Sequence, residues 1–235
     1  APAPAAAAED LPLLRAAPAA PAAEPAAEEV RILESLVCST QREVLYEWQC
    51  DRPSARLELV DNVRERFDRV SQHLPVGEPD RLEVQSIDCR AVIQYQTDGA
   101  IFFRSNHGIA PSAGGSPLSH QSMAGWLARH RSVRGLLASG VLRPGQQAVT
   151  QSCSREYPRE PLSPAWRSVQ EVFELFEHQS VNPWQLRWVF EHAQLYVSRR
   201  QDGKALAMFL SKDPDSLDTE AVERVFNEFK SLEAP

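Results

Sequence analysis

The sequence has few of the features that mark membrane proteins and nucleic-acid binders. Its longest apolar runs are short, so we expect no transmembrane helix. Acidic residues outnumber basic ones, and the formal net charge of −7 argues against a general phosphate-binding surface. A local basic patch is compatible with that average. With 235 residues, the chain is long enough for one large domain or two small ones.

Cysteine is scarce, and its four copies are too widely separated to form a CxxC pair. Small half-buried thiols in a reducing compartment explain them best, and the alternatives are a metal site or a secreted disulfide framework. No charged segment followed by an apolar stretch marks a signal peptide. We therefore expect a cytoplasmic protein without membrane insertion.

The common catalytic motifs are also missing. GxxxxGK(S/T), GxGxxG, HExxH and GxSxG do not occur, which removes the usual phosphate-loop, dinucleotide, zincin and hydrolase interpretations. The six histidines are scattered, and His73 and His178 fall near the ends of two predicted helices, where the helix dipole favours an imidazolium. The segment "DPDSLD" from Asp213 fits helix capping better than a calcium loop. We expect no enzyme activity, cofactor or metal.

Composition divides the chain into four parts. Residues 1–29 are mostly alanine and proline, which predicts a disordered tail, semi-extended around its prolines. The apolar island "LPLLR" at Leu11–Arg15 is either part of an inert linker or a segment that docks on a partner or on the protein itself. The glycines and prolines of residues 106–117 predict a second linker. Two folded units, 30–105 and 118–235, follow from these boundaries.

Hydrophobic periodicity predicts the same elements in both units, namely two strands, a helix and three strands. The helical stripe Val60, Val63 and Phe67 recurs 109 positions later as Val169, Val172 and Phe176. Strand residues match at similar offsets, as the pairs Leu36 with Val141, Leu82 with Leu186 and Gly99 with Gly203. The segment "SMAGWLARHRSVRGLLAS" predicts one long helix before the second unit, and "DSLDTEAVERVFNEFKSL" a capped amphipathic helix after it. We infer an internal duplication.

The repeated order resembles the Roadblock/LC7 family. "HRSVRGLLASGVLRPGQQAVTQS" is similar to the family's first helix entering its first hairpin, and "WQLRWVFEHAQLYVSRRQDGKALAMFLSKD" is similar to its last three strands. The resemblance implies an α+β fold of two similar sandwich units. Each unit would be a five-stranded, mostly antiparallel sheet with a central helix on one face and terminal helices on the other. The first copy lacks an evident closing helix and is incomplete.

A partner interface is implied by the same resemblance. Aromatic and apolar residues concentrate on the second unit's central helix and the strand after it, at Trp166, Val169, Phe173, Phe176, Trp184 and Trp188. In the family, these elements form the dimer interface. The copies would therefore pair within the chain, as a pseudodimer with one extended sheet, or each would pair with a second chain as a homodimer.

Two further segments are candidate contacts. Arg199 and Arg200, with Lys204, surround the second hairpin turn, and they form either a partner-facing patch or a solvated tip that discourages edge aggregation. The leucines Leu11, Leu13 and Leu14 of the tail are the other candidates.

The resemblance implies a non-catalytic protein-interaction module, an adaptor or regulator of a Ras-like small GTPase or a scaffold subunit. The alternatives are a structural accessory subunit of a large complex, whose Ala/Pro tail contacts neighbours, and a small-ligand sensor. A sensor would need a concave pocket with convergent polar groups.

Overall fold

Strands dominate the structure, a computed structural model that describes residues 30–106, 108 and 123–232. The first half contains β1 (Ile32–Ser39), β2 (Val44–Trp48), α1 (Pro53–Ser71), β3 (Pro79–Ser86), β4 (Arg90–Gln96) and β5 (Gly99–Ser105). The second half contains α2 (Met123–Arg129), β6 (Leu136–Arg143), β7 (Gln146–Ser152), α3 (Arg159–His178), β8 (Pro183–Phe190), β9 (Ala193–Arg199), β10 (Ala205–Ser211), a 3-10 turn (Pro214–Ser216) and α4 (Thr219–Ser231). Two strands, a helix and three strands therefore occur twice.

The ten strands of the described residues form one antiparallel sheet, in the order β2-β1-β5-β4-β3-β8-β9-β10-β6-β7. The halves meet where β3 pairs with β8, and we call this pairing the seam. Glu83 lies opposite Arg187 at the seam, and the pairs beside it are Leu82–Trp188 and Val84–Leu186. Since Glu83 and Arg187 occupy equivalent places in the two halves, an approximate two-fold axis passes between them.

The predicted fold class, two similar sandwich units that each have their own five-stranded sheet, is wrong. The structure has a single ten-stranded sheet with four helices. In separate units, β3 and β8 would each be an edge strand with unpaired backbone groups, and pairing with each other satisfies those groups. Helices α1 and α3 also pack against each other on one face, so both halves share a core.

That shared core buries the helical stripes expected from the sequence. Val60, Val63 and Phe67 of α1 are at most 3% exposed, and the α3 stripe is buried equally well. Ring contacts continue across the seam, because Phe67 stacks on Trp188 with centroids 4.5 Å apart and contacts Phe190 at 4.9 Å. The two central helices are therefore fixed to one another as well as to the sheet.

The opposite face carries a smaller core, and its described members all come from the second half. Helices α2 and α4 supply Trp126, Leu127, Val222, Val225 and Phe229, which pack on strand residues Leu136, Val141, Leu206, Met208 and Leu210. Within residues 30–106 and 123–232, no helix is long and apolar enough to cross a bilayer. Helices α2 and α4 thus cover the part of this face that belongs to the second half.

Helix α2 is much shorter than the sequence suggested. It ends at Arg129, and β6 already begins at Leu136. Gly135 separates them with a φ of +81°, which other residues adopt only with strain, and a Cβ there would lie 2.9 Å from the Leu217 Cα. The predicted single helix therefore becomes a short helix, a turn and the start of a strand.

Residue equivalences between the halves differ from the sequence alignment in the hairpins. Gln96 pairs with Gly99 around the first turn, whereas Arg200 is hydrogen-bonded to Lys204 around the second, which is one residue longer. Strand pairing therefore aligns Val37 with Val141, Ile101 with Leu206, Phe103 with Met208 and Leu36 with Gly140. A shift of one residue exchanges the two faces of a strand, so Leu36 and Val141 belong to different cores.

Candidate functional site

The aromatic residues predicted as a partner interface lie mostly inside the chain. Trp166, Val169, Phe173, Phe176 and Trp188 are between 0 and 4% exposed, and Trp184 is half-buried. Trp188 contacts the other half through its stacking on Phe67. The buried members of the cluster therefore pack within the chain, Trp188 on the first half and Trp166 on Phe209 of its own half.

Polar contacts reinforce the same junction between the helices. Glu171 of α3 accepts hydrogen bonds from Arg66 at 3.1 Å and from Arg69 at 3.0 Å on α1. Near the other ends of these helices, the buried Arg56 guanidinium binds both carboxylate oxygens of Glu34 and also Gln179. Since Arg56 and Glu34 are at most 6% exposed, their charges are compensated by one another inside the core.

The basic hairpin tip is also engaged within the chain. Arg199 pairs with Glu177 and lies 4.6 Å from the Phe173 ring. Arg200 donates to the Phe229 carbonyl at 3.1 Å, and both it and Lys204 lie 3.3 Å from Asp202. These contacts anchor the tip to α3 and α4. The three tail leucines, Leu11, Leu13 and Leu14, lie outside the described residues.

A surface that the sequence analysis missed lies at the first edge of the sheet. Seven of the eight exposed large apolar side chains in the described residues come from β1, β2 and the residue pair before β1. This hairpin patch consists of Val30, Ile32, Leu33, Val44, Leu45, Tyr46 and Trp48. Leu45 is 63% exposed and Tyr46 is 55% exposed. Scattered apolar residues are ordinary on a surface, whereas a contiguous group marks an interaction site.

The hairpin patch continues onto the sheet face of the first half that lies opposite α1, here called the open face. Val37, Ile101 and Phe103 line this face and keep part of their surface exposed. Their equivalents in the second half, Val141, Leu206 and Met208, are 0% exposed beneath α2 and α4. The same strand positions are therefore covered in one half and partly uncovered in the other.

Beside the open face, three arginines surround one carboxylate near the seam. Glu83 lies 3.0 Å from Arg81, 2.9 Å from Arg90 and 3.5 Å from Arg187. Arg187 also lies over the Tyr196 ring at 5.1 Å. We call the three guanidiniums the arginine strip. Within the part of the chain that the structure describes, one glutamate leaves two positive charges uncompensated in this cluster, on a chain whose net charge is negative.

A cleft of about 670 Å³ opens on the other face of the first half, between α1 and the turns at the ends of β1 and β4. Asp61, Arg64 and Tyr95 line it together with Cys38. The Tyr95 hydroxyl donates to the Val60 carbonyl at 3.1 Å, and burial raises the pKa of Tyr95 well above its usual value. Burial also raises the pKa of the Cys38 thiol, which makes it a poor nucleophile at neutral pH.

No family model, curated protein or solved structure matches this chain. The geometry of the described residues is therefore the basis for a functional assignment. Among them, no group of three or more histidine, cysteine, aspartate or glutamate side chains could hold a metal ion. The four cysteines are free thiols.

One sequence signal for the hairpin patch was present in β2. Its segment "VLYEW" has apolar residues at four of five positions and a single charge, whereas exposed edge strands usually carry several protective charges or a proline. The signal is ambiguous from sequence, because a central strand buried on both faces has the same composition. Only the strand order, which places β2 at the edge, distinguishes the two.

Proposed function

We propose that this chain is a non-catalytic protein-interaction module whose docking site is the hairpin patch, where a strand of a partner protein adds to β2. The carrying observation is the concentration of exposed apolar side chains on an edge strand. One side of β2 pairs with β1, and its other side has no strand neighbour within the described sheet. Strand addition supplies backbone hydrogen bonds there, and the apolar side chains supply the buried area.

The way the two halves join supports strand addition as the mode of binding. The inner edge of the first half of the sheet is β3 and that of the second half is β8, and antiparallel pairing of these two strands creates the seam. Pairing at β2 would extend the same sheet by the same kind of contact. Leu45 and Tyr46 would become buried by the added strand, and each fully buried large apolar side chain contributes about 1.5–3 kcal/mol.

The class of partner follows from the resemblance to Roadblock/LC7 proteins and is part of the proposal. A Ras-like small GTPase, for which the chain acts as adaptor or regulator, is the first candidate, and a neighbouring subunit of a scaffold is the second. A structural accessory subunit that uses its Ala/Pro tail to contact neighbours is the alternative. Each of these roles places the chain in the cytoplasm as an intramolecular pseudodimer.

The test compares two leucine-sized residues of equal exposure. Leu45 is 63% exposed within the hairpin patch, and Ile87 is 62% exposed in the turn between β3 and β4. Full-length wild type, Leu45→Asp and Ile87→Asp are used to enrich partners from the native source. We expect Leu45→Asp to lose a specific partner by at least about tenfold, equal to 1.4 kcal/mol, while Ile87→Asp retains it.

Hydrogen exchange on the recovered complex then locates the contact. Strand addition predicts slower exchange of the amides of residues 44–48 in the complex. Equal recovery by both variants, or unchanged exchange at β2, contradicts the proposal. Sedimentation of the isolated protein distinguishes a second copy of this chain from a different protein, because self-pairing at β2 would give a dimer that Leu45→Asp dissociates.

The cleft supports a second candidate, a small-ligand sensor. Its volume of about 670 Å³ suits a small molecule, and the polar groups of Asp61, Arg64 and Tyr95 converge on it. A thermal-shift screen of metabolites with wild type and Arg64→Met tests this function. A ligand that raises Tm only in the wild type would favour it, and a screen without any such ligand would remove it.

A further inference from the structure

The open face of the first half is more exposed than the equivalent face of the second half. Met208 and Leu206 are fully buried by α2 and α4, while their equivalents Phe103 and Ile101 retain exposed surface. Tyr46 and Trp48 of β2 pair with Val37 and Ser35 and therefore project on the same face. Removing such side chains from water is favourable, so a segment that covered them would stabilise the first half as α4 stabilises the second.

The tail contains one segment whose chemistry matches this face. Residues 9–15, "EDLPLLR", carry the tail's apolar island, with Glu9 and Asp10 directly before it. The sheet has the same order of features from β1 toward the seam, an apolar area on β1 and β5 of the open face and then, beside it, the arginine strip on β3, β4 and β8. Leucines that contact Phe103 would place the two acids beside the uncompensated guanidiniums.

The spacing of the segment fits the spacing of the strands. Neighbouring strands lie about 4.8 Å apart, so β5 and β3 are separated by about 10 Å. An extended chain covers about 10 Å in three residues, which is the separation of Asp10 from Leu13. Acid and leucine can therefore reach the arginine strip and Phe103 at the same time.

The connection to the folded region is also long enough. Fourteen residues separate Arg15 from Val30, and the fifteen steps along the chain span up to about 50 Å when extended. The distance across the open face from β1 to β8 is four strand spacings, or about 19 Å. The segment can therefore lie anywhere on this face without strain in the connection.

We propose that residues 9–15 of the tail dock on the open face of the first half of the same chain, with Leu11, Leu13 and Leu14 on the apolar area and Glu9 and Asp10 at the arginine strip. The docked tail covers Tyr46 and Trp48 on one side of the hairpin patch and competes there with a partner. This regulatory role rests on the proposed function, whereas docking itself is measured on the isolated protein. A failure of tail docking can thus be distinguished from a failure of the proposed partner binding.

Photo-crosslinking in the full chain tests the docking. Leu13→p-benzoylphenylalanine and the control Ala20→p-benzoylphenylalanine are each irradiated, and the crosslinked residues are mapped by mass spectrometry. Ala20 is nearer to Val30 along the chain, so random contact of a tethered tail predicts an equal or higher yield from Ala20. Docking predicts the reverse, with at least about a tenfold excess from position 13 onto residues 33–37, 46–48 and 101–103.

Isotope mixing identifies the molecule that is crosslinked. In an equal mixture of ¹⁴N- and ¹⁵N-labelled protein, docking within one chain gives crosslinks of a single label, and docking on a second copy gives mixed labels. Mixed labels, crosslinks onto other surfaces, or equal yields from positions 13 and 20 overturn the proposal.

Substitutions separate the apolar and charged contributions. Leu11→Ser with Leu14→Ser is expected to reduce the position-13 crosslink at least about tenfold, because burial of even one leucine corresponds to that factor. Glu9→Lys with Asp10→Lys is expected to reduce it about threefold at low salt and less at 1 M salt, where exposed charges are screened. A yield that neither pair changes contradicts the assigned contacts.

Discussion

Trp166 packs against a strand position that is glycine in one half of the chain and leucine in the other. In the second half, Gly140 leaves room for the indole, and a Cβ there would lie 2.9 Å from its Cε2 atom. In the first half, the equivalent of Gly140 is Leu36, which is 0% exposed. The equivalent of Trp166, by the helix offset, is the smaller Leu57. The first half thus fills this volume with a large residue on the strand, Leu36, and the second half fills it with a large residue on the helix, Trp166.

Gly140→Ala tests this exchange. Overpacking against Trp166 is expected to lower the free energy of unfolding by about 1–3 kcal/mol, measured by urea denaturation. The double variant with Trp166→Leu supplies the control, because a smaller side chain on α3 removes the clash. Its loss should be smaller than the sum of the two single losses. Additive losses would show that the clash is not the cause.

Sequence periodicity was a reliable guide to which residues are buried on the long helices. Val63 and Phe67 recur at helical spacing, and both are 0% exposed. The hairpins were harder, because a strand has a period of two and a one-residue difference in turn length exchanges its faces. Leu36 was therefore aligned with Val141 instead of Gly140. Such differences depend on turn geometry, which short polar segments do not reveal.

At the scale of elements, the contact between α2 and α4 is sensitive to pH. His130 follows α2, its Nε2 lies 3.2 Å from a Glu228 carboxylate oxygen of α4, and its ring contacts Trp126. Burial lowers the pKa of His130 below its usual value of 6.5, Arg129 lowers it further, and Glu228 opposes both effects. The neutral imidazole is therefore the form that the folded state favours.

This direction sets the sign of the pH dependence. A histidine whose pKa is lower in the folded state stabilises the fold fully above pH 6.5, and that stability is lost as the pH falls through the folded value. We expect His130→Gln to reduce the slope of unfolding free energy against pH below 6.5, by at most about 1.4 kcal/mol per pH unit.

Urea denaturation at a series of pH values measures this slope. The matched control is His192→Gln, because the His192 side chain is 62% exposed and lies outside the contact between α2 and α4. Equal slopes for wild type and His130→Gln would contradict the assignment.

The sequence predicted most elements but misjudged one helix and one surface. The α4 helix has the expected N-cap, since the Asp218 carboxylate accepts from the Ala221 amide at 3.0 Å. The helix expected across "SMAGWLARHRSVRGLLAS" ends at Arg129, because "LLASGVLR" is needed as a strand beside β10. Tertiary pairing overrode local propensity there. The hairpin patch depends on strand order, which no local pattern encodes.

At the scale of the whole molecule, the seam makes the halves one cooperative unit. Strands β3 and β8 pair along their length, and Phe67 stacks on Trp188 across the boundary between halves. We expect a single thermal transition in which the calorimetric and van't Hoff enthalpies agree. Two separate transitions would contradict a shared core.

Trp188→Ala tests whether the two halves unfold together. Removing a fully buried indole at the seam is expected to cost about 3–5 kcal/mol and to lower the unfolding temperature of both halves together. Trp184→Ala, in the same strand but half-buried, serves as the control with a smaller loss. Hydrogen exchange at β1 and at β10 reports each half, and destabilisation confined to the second half would contradict cooperative coupling.

The seam also has a consequence for synthesis of the chain. The partner of β3 is β8, which emerges from the ribosome roughly a hundred residues later, or about 5–20 s at ordinary translation rates. During that interval β3 is a bare edge on a nascent chain, close to identical chains on the same message. Arg81 and Glu83 are charged groups on that strand, and charges on a temporary edge discourage its pairing with the wrong copy. These charges thus protect β3 from pairing with another nascent chain before its native contact with β8 exists.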